Sequence, residues 1–215
     1  MAQCGILSTK VTPYSDDIKQ YLEESTYIDY QHPTIQKLAD ELMEQAGSRQ
    51  AYMEAAFTYV RDQIAHSADA GEQMITRTAS EVLAAKHGIC FAKSHLLTAL
   101  LRARQIPAGL CYQKLILSDE QPDVLIYHGL CGVYLEEEQR WIRLDARGNK
   151  TGVDAQFSTT KEQLAFPIRR VLGEEDLYLV YPRPDEEVIK VLTENTSRVE
   201  LWENLPVRLA YRNER

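Results

Sequence analysis

The sequence predicts an α+β fold in which helices pack on an antiparallel sheet and a cysteine opens a buried helix. Three observations predict it. Apolar residues recur at helical spacing between positions 33 and 64. A second stretch, Cys90 to Arg104, is so rich in Leu and Ala that few faces stay polar. Beyond Ala108 the pattern turns into strand-like apolar runs separated by polar turns.

Taken in order, residues 1–30 mix turn formers with Tyr14, Tyr21, Leu22, Tyr27, Ile28 and Tyr30, and read as an arm packing on the core, with a short helix from Ser15 to Glu24. Pro33 suits a first helical turn, and Ile35, Leu38, Ala39, Leu42, Met43 and Ala46 repeat helically until Gly47 ends the run. Ser48 is an N-cap candidate for a second helix carrying Tyr52, Ala55, Ala56, Tyr59 and Val60, so the pair forms a helical hairpin. Residues 65–78 read as a loop near the cleft, and Ser80 to Ala85 as a short helix. Gly88 is expected to make the permissive turn before the cysteine helix. Ile106-Pro107 ends that helix, and strands follow at 108–117, 124–135 and 139–145, with turns at 118–123 and at Glu136-Glu137-Glu138. Polar residues dominate 146–160. A strand at 177–180, a helix after Pro184 and a short helix within 197–205 complete the chain.

With 215 residues, 44% hydrophobic and 26% charged, one ordinary domain spanning 1–215 is expected. The net charge of -8 and the lack of Lys/Arg clusters exclude nucleic acid as a partner. Met1 to Leu7 carries no charged region followed by a long apolar one, and no apolar run is long enough to span a bilayer, so a cytoplasmic protein with no membrane partner is expected. Cys4, Cys90, Cys111 and Cys131 are widely spaced without a C-x-x-C pair, which predicts free thiols. His32 and His66 have no ligand-like spacing, so neither metal nor cofactor is expected.

Cys90 at a helix start meets unpaired backbone N–H groups and the positive end of the helix dipole, which favour thiolate over thiol. A small buried hydrophobe is the competing reading. A cysteine nucleophile needs a base, and the base needs a group to orient it. His128 lies in the second strand and Asp145 ends the third. With a hairpin tip at Glu136-Glu137, residue 128 faces 145 and Trp141 faces Gly132; a register two residues off keeps Asp145 diagonal to His128. A structural strand histidine and a turn-forming aspartate are the alternatives at these two positions. His87 and His95 flank the cysteine, but His95 lies five positions down the helix, pointing away, and His87 lacks an evident carboxylate partner. The Cys90 backbone N–H is the first oxyanion donor; Gln73 is the candidate for a second, against a structural role for it.

The segments Thr78-Ala79-Ser80-Glu81-Val82-Leu83, Gly88-Ile89-Cys90 and Leu97 to Ala108, followed by a strand histidine and by Trp141-Ile142-Arg143-Leu144-Asp145, resemble the core of the transglutaminase-like superfamily across residues 78–148. The resemblance implies a papain-like core and places a catalytic triad on Cys90, His128 and Asp145. His128 is followed by Gly129-Leu130, where members often carry Ala-Trp. The family contains peptidases, amide hydrolases, transglutaminases and silent members. The expected function is therefore cysteine-dependent acyl transfer from a peptide or protein amide through a thioester, with hydrolysis preferred. The alternatives are a protein-glutamine transglutaminase and a non-catalytic peptide-binding module. Oligomeric state is not readable.

Overall fold

The computed structural model describes residues 10–118 and 120–212. The expectations for Cys4 and for the Met1–Leu7 segment lie outside the described residues. The chain begins with a two-residue strand, β1 (Thr12–Pro13), and a 3₁₀ stretch over Ile18–Leu22. The helix expected over Ser15–Glu24 is thus shorter and tighter: Asp17 caps it, and the buried Tyr21 hydroxyl donates to the Val180 carbonyl at 2.9 Å.

Helix α1 (Pro33–Ala46) starts on His32 and Pro33 and ends at left-handed Gly47, whose N–H reaches the Met43 carbonyl. The second helix, α2 (Arg49–Gln63), is capped by the Ser48 hydroxyl on the Ala51 N–H and buries Tyr52, Met53, Ala56, Phe57 and Val60. Both spans follow the apolar period closely, because caps and amphipathic stripe agree. The expected 65–78 loop contains more order than its sequence suggests. It opens with β2 (Ala65–His66) and the one-turn α3 (Ser67–Ala70), elements too short to show any period.

A Thr78–Glu81 capping box starts α4 (Ala79–Ala85), which leads through β3 (His87–Gly88) into α5 (Cys90–Ala103). Strands β2 and β3 pair in parallel, Ala65 with His87 and His66 with Gly88. Gly88 does not make the turn expected of it; it is part of a strand, and its φ is not positive. Space explains the glycine: a Cβ there would stand 3.2 Å from Thr76 Oγ1 and 3.3 Å from Ala92 Cβ.

Every α5 residue after Cys90 is buried. Helices α1, α2 and α4 pack around it. Its buried polar side chains are satisfied by backbone: His95 Nδ1 lies 2.8 Å from the Arg77 carbonyl, Arg102 donates to the carbonyls of Glu23, Ala108 and Pro182, and Lys93 donates to that of Ile64. Unpaired, each would cost about 1–3 kcal/mol.

The sheet follows with β4 (Ala108–Ser118), β5 (Gln121–Leu135), β6 (Arg140–Leu144) and β7 (Glu175–Tyr181), in the order β1-β7-β4-β5-β6. All pairs are antiparallel except β1 with β7. Helices α6 (Glu186–Glu194) and α7 (Arg198–Glu203) follow, capped by Asp185 and Ser197, and a 3₁₀ turn over Ala210–Arg212 closes the described chain. The β5–β6 register differs from the simple hairpin by two residues: Leu135 opposes Arg140 and Cys131 opposes Leu144. The turn is four residues long, ending at Gln139 with φ +48°, which supplies the extra step. Trp141 consequently faces Tyr134, and Gly132 faces Arg143. The indole lies against the rings of Tyr21 and Tyr134, at centroid distances of 4.6 and 5.3 Å.

Candidate active site

Cys90 is the one residue of α5 that is not buried, and it borders a cleft of about 510 Å³ together with Ile89 and His128. The helix begins on Ile89, which has no side-chain oxygen and makes no side-chain cap. Its first N–H groups therefore have no acceptor from a capping side chain. The other described cysteines, Cys111 and Cys131, are free and buried. Burial pushes the Cys131 thiol up to about 12 and the Cys111 thiol well above its ordinary value.

His128 reaches Cys90 because β5 passes unusually close to the helix start. A Cβ on Gly129 would stand 2.5 Å from Phe91 Cδ1 and 3.2 Å from Phe91 Cα. Only a glycine admits that approach. Strand β6 pairs with β5 from Cys131 to Leu135 and stops before His128, so the residues after β6 are free to turn toward the imidazole.

Asp145 directly follows β6, diagonal to His128 in the observed register, and its Oδ2 lies 2.9 Å from His128 Nε2. The same carboxylate accepts from the Arg147 N–H at 3.1 Å and the Ala165 N–H at 3.0 Å. Arg143 holds the Ala165 segment in place by gripping Glu162 and Asp176 together. With Nε2 engaged, Nδ1 is the nitrogen left for the Cys90 side chain, which helps to raise the imidazole. The T-shaped contact of Phe166 on the imidazole, 5.2 Å between centroids, fixes the ring plane.

Burial disfavours charge on His128, yet Asp145 and then Cys90 outweigh it and push the imidazole up to about 10. Burial likewise opposes ionisation of Asp145, and His128 with the two backbone donors holds it below the usual carboxylate range. The pair is an imidazolium–carboxylate ion pair at neutral pH. Beside a cysteine at a helix start, this arrangement can generate a thiolate, orient it, and return a proton to a leaving group.

The two histidines that flank the cysteine in sequence sit elsewhere. His95 is buried against Tyr27 and the Arg77 carbonyl, away from Cys90. His87 Nδ1 lies 3.0 Å from Ser67 Oγ, and its other nitrogen is 3.9 Å from Glu72, a carboxylate not evident from the sequence. Gln73 is exposed, bonds the Gly71 carbonyl and does not border the cleft. Sequence reasoning missed His66, Asp69, Arg147 and Lys150, which do border it. Asp69 joins Arg147 at 2.5 and 3.1 Å and Lys150 at 2.7 Å, tying α3 to the chain beyond β6. Only the placement of 65–78 beside the nucleophile hinted at this wall. The lining also has an apolar part, with Leu115, Leu117, Ile126, Trp202 and Leu205. Among the described residues no three His, Cys, Asp or Glu side chains converge to hold a metal ion, and no helix is long and apolar enough to cross a membrane.

Helices packed against a curled antiparallel sheet, with cysteine, histidine and aspartate meeting at the start of the central helix, define an α+β papain-like core. The family model of the transglutaminase-like superfamily matches residues 36–146, more than half of the chain, and the chain belongs to that superfamily. Solved structures similar to it include a candidate cysteine protease from Cytophaga hutchinsonii, 22% identical over 62% of this chain and 43% of that one, with a TM-score of 0.48. The periplasmic domain of TgpA from Pseudomonas aeruginosa is 19% identical over 60% of this chain and 46% of that one, TM-score 0.45. A candidate protease from Parabacteroides distasonis is 16% identical over 70% and 30%, TM-score 0.40. The chain spans less than half the length of each of these structures. No curated protein matches it.

Proposed function

We propose that the protein is a cysteine-dependent acyl-transfer enzyme that cleaves an amide of a peptide or protein through a Cys90 thioester, with water as the preferred acceptor. The observation that carries this reading is that Cys90 and His128 share the cleft while the buried Asp145 engages His128 from behind. The Cys90 thiolate attacks the carbonyl carbon, forming the C–S bond and a tetrahedral oxyanion next to the Cys90 backbone N–H. As the C–N bond breaks, the His128 imidazolium gives its proton to the departing amine. Neutral His128 then takes a proton from water as the water attacks the thioester, and the acid leaves with the thiolate restored. Asp145 keeps the ring oriented and stabilises its charge throughout.

Hydrolysis is favoured over amine transfer by what stands after His128. Gly129 is pressed on Phe91, and Leu130 is fully buried with Tyr21, Cys111, Trp141 and Val180, so neither residue walls the thioester from water. The polar wall of Asp69, Arg147 and Lys150 adds to water access. A panel of glutamine-containing and short peptides, assayed with and without a primary amine, tests the reading. Release of free acid, lost in Cys90→Ala and severely reduced in His128→Ala, is expected. Amine incorporation outpacing acid release would make the protein a transglutaminase; an unreactive Cys90 with no turnover would make it a peptide-binding module.

A further inference from the structure

We propose that the His66 ring supplies the second N–H to the oxyanion, beside the backbone N–H of Cys90, an inference that rests on the acyl-transfer reading above. His66 is only 7% exposed, yet it borders the same cleft as Ile89, Cys90 and His128. Its Nδ1 is buried without a hydrogen-bond partner among the described residues. An N–H on that sealed nitrogen would be buried and unpaired, so the ring's one proton belongs on Nε2, which is not closed off in this way and has no partner among the described residues; at the edge of a substrate cleft its natural partner is the substrate.

The backbone explains how the ring comes to be there. Pairing of His66 with Gly88 sets it alongside the two residues that lead into Cys90. Strand β2 is pinned in this position by the Ala65 N–H on the Lys86 carbonyl, 2.9 Å, and by the 3.0 Å contact of Ser67 Oγ with His87 Nδ1. Gln73, the earlier candidate, is occupied elsewhere.

The charge state suits a donor that keeps its proton. Burial, with Arg147 next, pushes His66 down to about 3, although Asp69 opposes this. At neutral pH the ring is uncharged with one N–H. Two histidines thereby divide the work: His128 moves a proton, and His66 only donates a hydrogen bond. When thiolate attack forms the C–S bond, the carbonyl π pair moves onto oxygen and is held by two N–H groups. As the pair returns and the C–N bond breaks, no proton leaves His66.

Two probes of Cys90 separate this role from any effect on the thiol. Iodoacetamide alkylates sulfur by displacement and builds no oxyanion, whereas p-nitrophenyl acetate acylates it through one. In His66→Leu the burst of p-nitrophenolate should slow about 10²-fold or more, while alkylation stays within about three-fold of the unsubstituted protein. His66→Gln, which keeps an N–H donor, should recover about ten-fold of that loss. Thermal unfolding verifies that each variant is folded; if His66→Leu is not, His66→Phe takes its place. Acylation at the original rate without the donor overturns the proposal, as does equal slowing with both probes. Failure of the underlying reading looks different: Cys90 of the unsubstituted protein would be acylated no faster than Cys111 or Cys131, and the proposal would fall with it.

Discussion

Substituting Gly129 by alanine tests whether close approach of β5 to α5 is what unites His128 with Cys90. The added methyl would meet Phe91 Cδ1 at 2.5 Å, Phe91 Cα at 3.2 Å and Cε1 at 3.2 Å, where ordinary contacts begin at 3.4 Å. Relief therefore needs a displacement of roughly 0.9 Å against the first atom. Rotation of the Phe91 ring cannot provide all of it, because the ring is 1% exposed and Cα belongs to the helix backbone. Overpacking of this kind costs about 1–3 kcal/mol. Because His128 precedes Gly129, the strand shift also carries the imidazole away from the sulfur, and a misplacement of about 1 Å costs on the order of 10²-fold in turnover. Gly129→Ala should thus unfold at lower denaturant concentration and lose about two orders of magnitude in kcat with a smaller change in KM. In a Phe91→Ala background the additional loss from Gly129→Ala should shrink, since two of the three contacts vanish. A Gly129→Ala protein with unchanged stability and unchanged turnover would refute the reasoning, and so would full additivity with Phe91→Ala.

Three further outcomes follow from the electrostatics. Asp145→Asn removes the carboxylate from His128 Nε2 and should lower turnover on the order of 10²- to 10⁴-fold, measured as kcat on any substrate that the peptide panel yields. The raised His128 value makes its contribution to stability full below about pH 6.5 and lost as pH rises through about 10. Activity should fall across the same alkaline limb as the imidazolium loses the proton meant for the leaving amine; a pH–rate profile with no fall by pH 10.5 or so would contradict this. Lys93 is the opposite case: burial, with Arg147 second, pushes it down to about 7 while its amine donates to carbonyls at the end of α2. The unfolded chain then binds the extra proton between about pH 7 and 10.5, so Lys93 makes stability rise with pH in that window. Relative to Lys93→Met, the unsubstituted protein should gain in melting temperature from pH 7 to 9, read by calorimetry.

Local signals carried much of the architecture. The spans of α1 and α2 are written in caps and in a 3.6-residue apolar period, both properties of neighbours in the chain. The cysteine helix was legible from its composition, and strands β4 to β7 from apolar runs between turns. Cys90, His128 and Asp145 were legible as a set because their chemistry demands those residue types and because even a two-residue slip of the hairpin leaves the last two within reach. The slip did occur, since Gln139 lengthens the turn.

What only the tertiary structure decided concerns groups distant in sequence. Gly129 read only as a departure from the family pattern after His128, and it proved to be the point where strand and helix touch. Gly88 looked like a turn, and it sits in a strand hemmed by Thr76 and Ala92. His66 had no motif at all: a two-residue strand has no period, and its pairing with Gly88 spans twenty-two positions of chain. The sequence by itself determined which side chains could do chemistry and which segments would be helix or strand, because those depend on near neighbours. Packing between remote segments determined which of these side chains share a cleft, because steric fit and loss of water act on atoms that the chain order does not bring together.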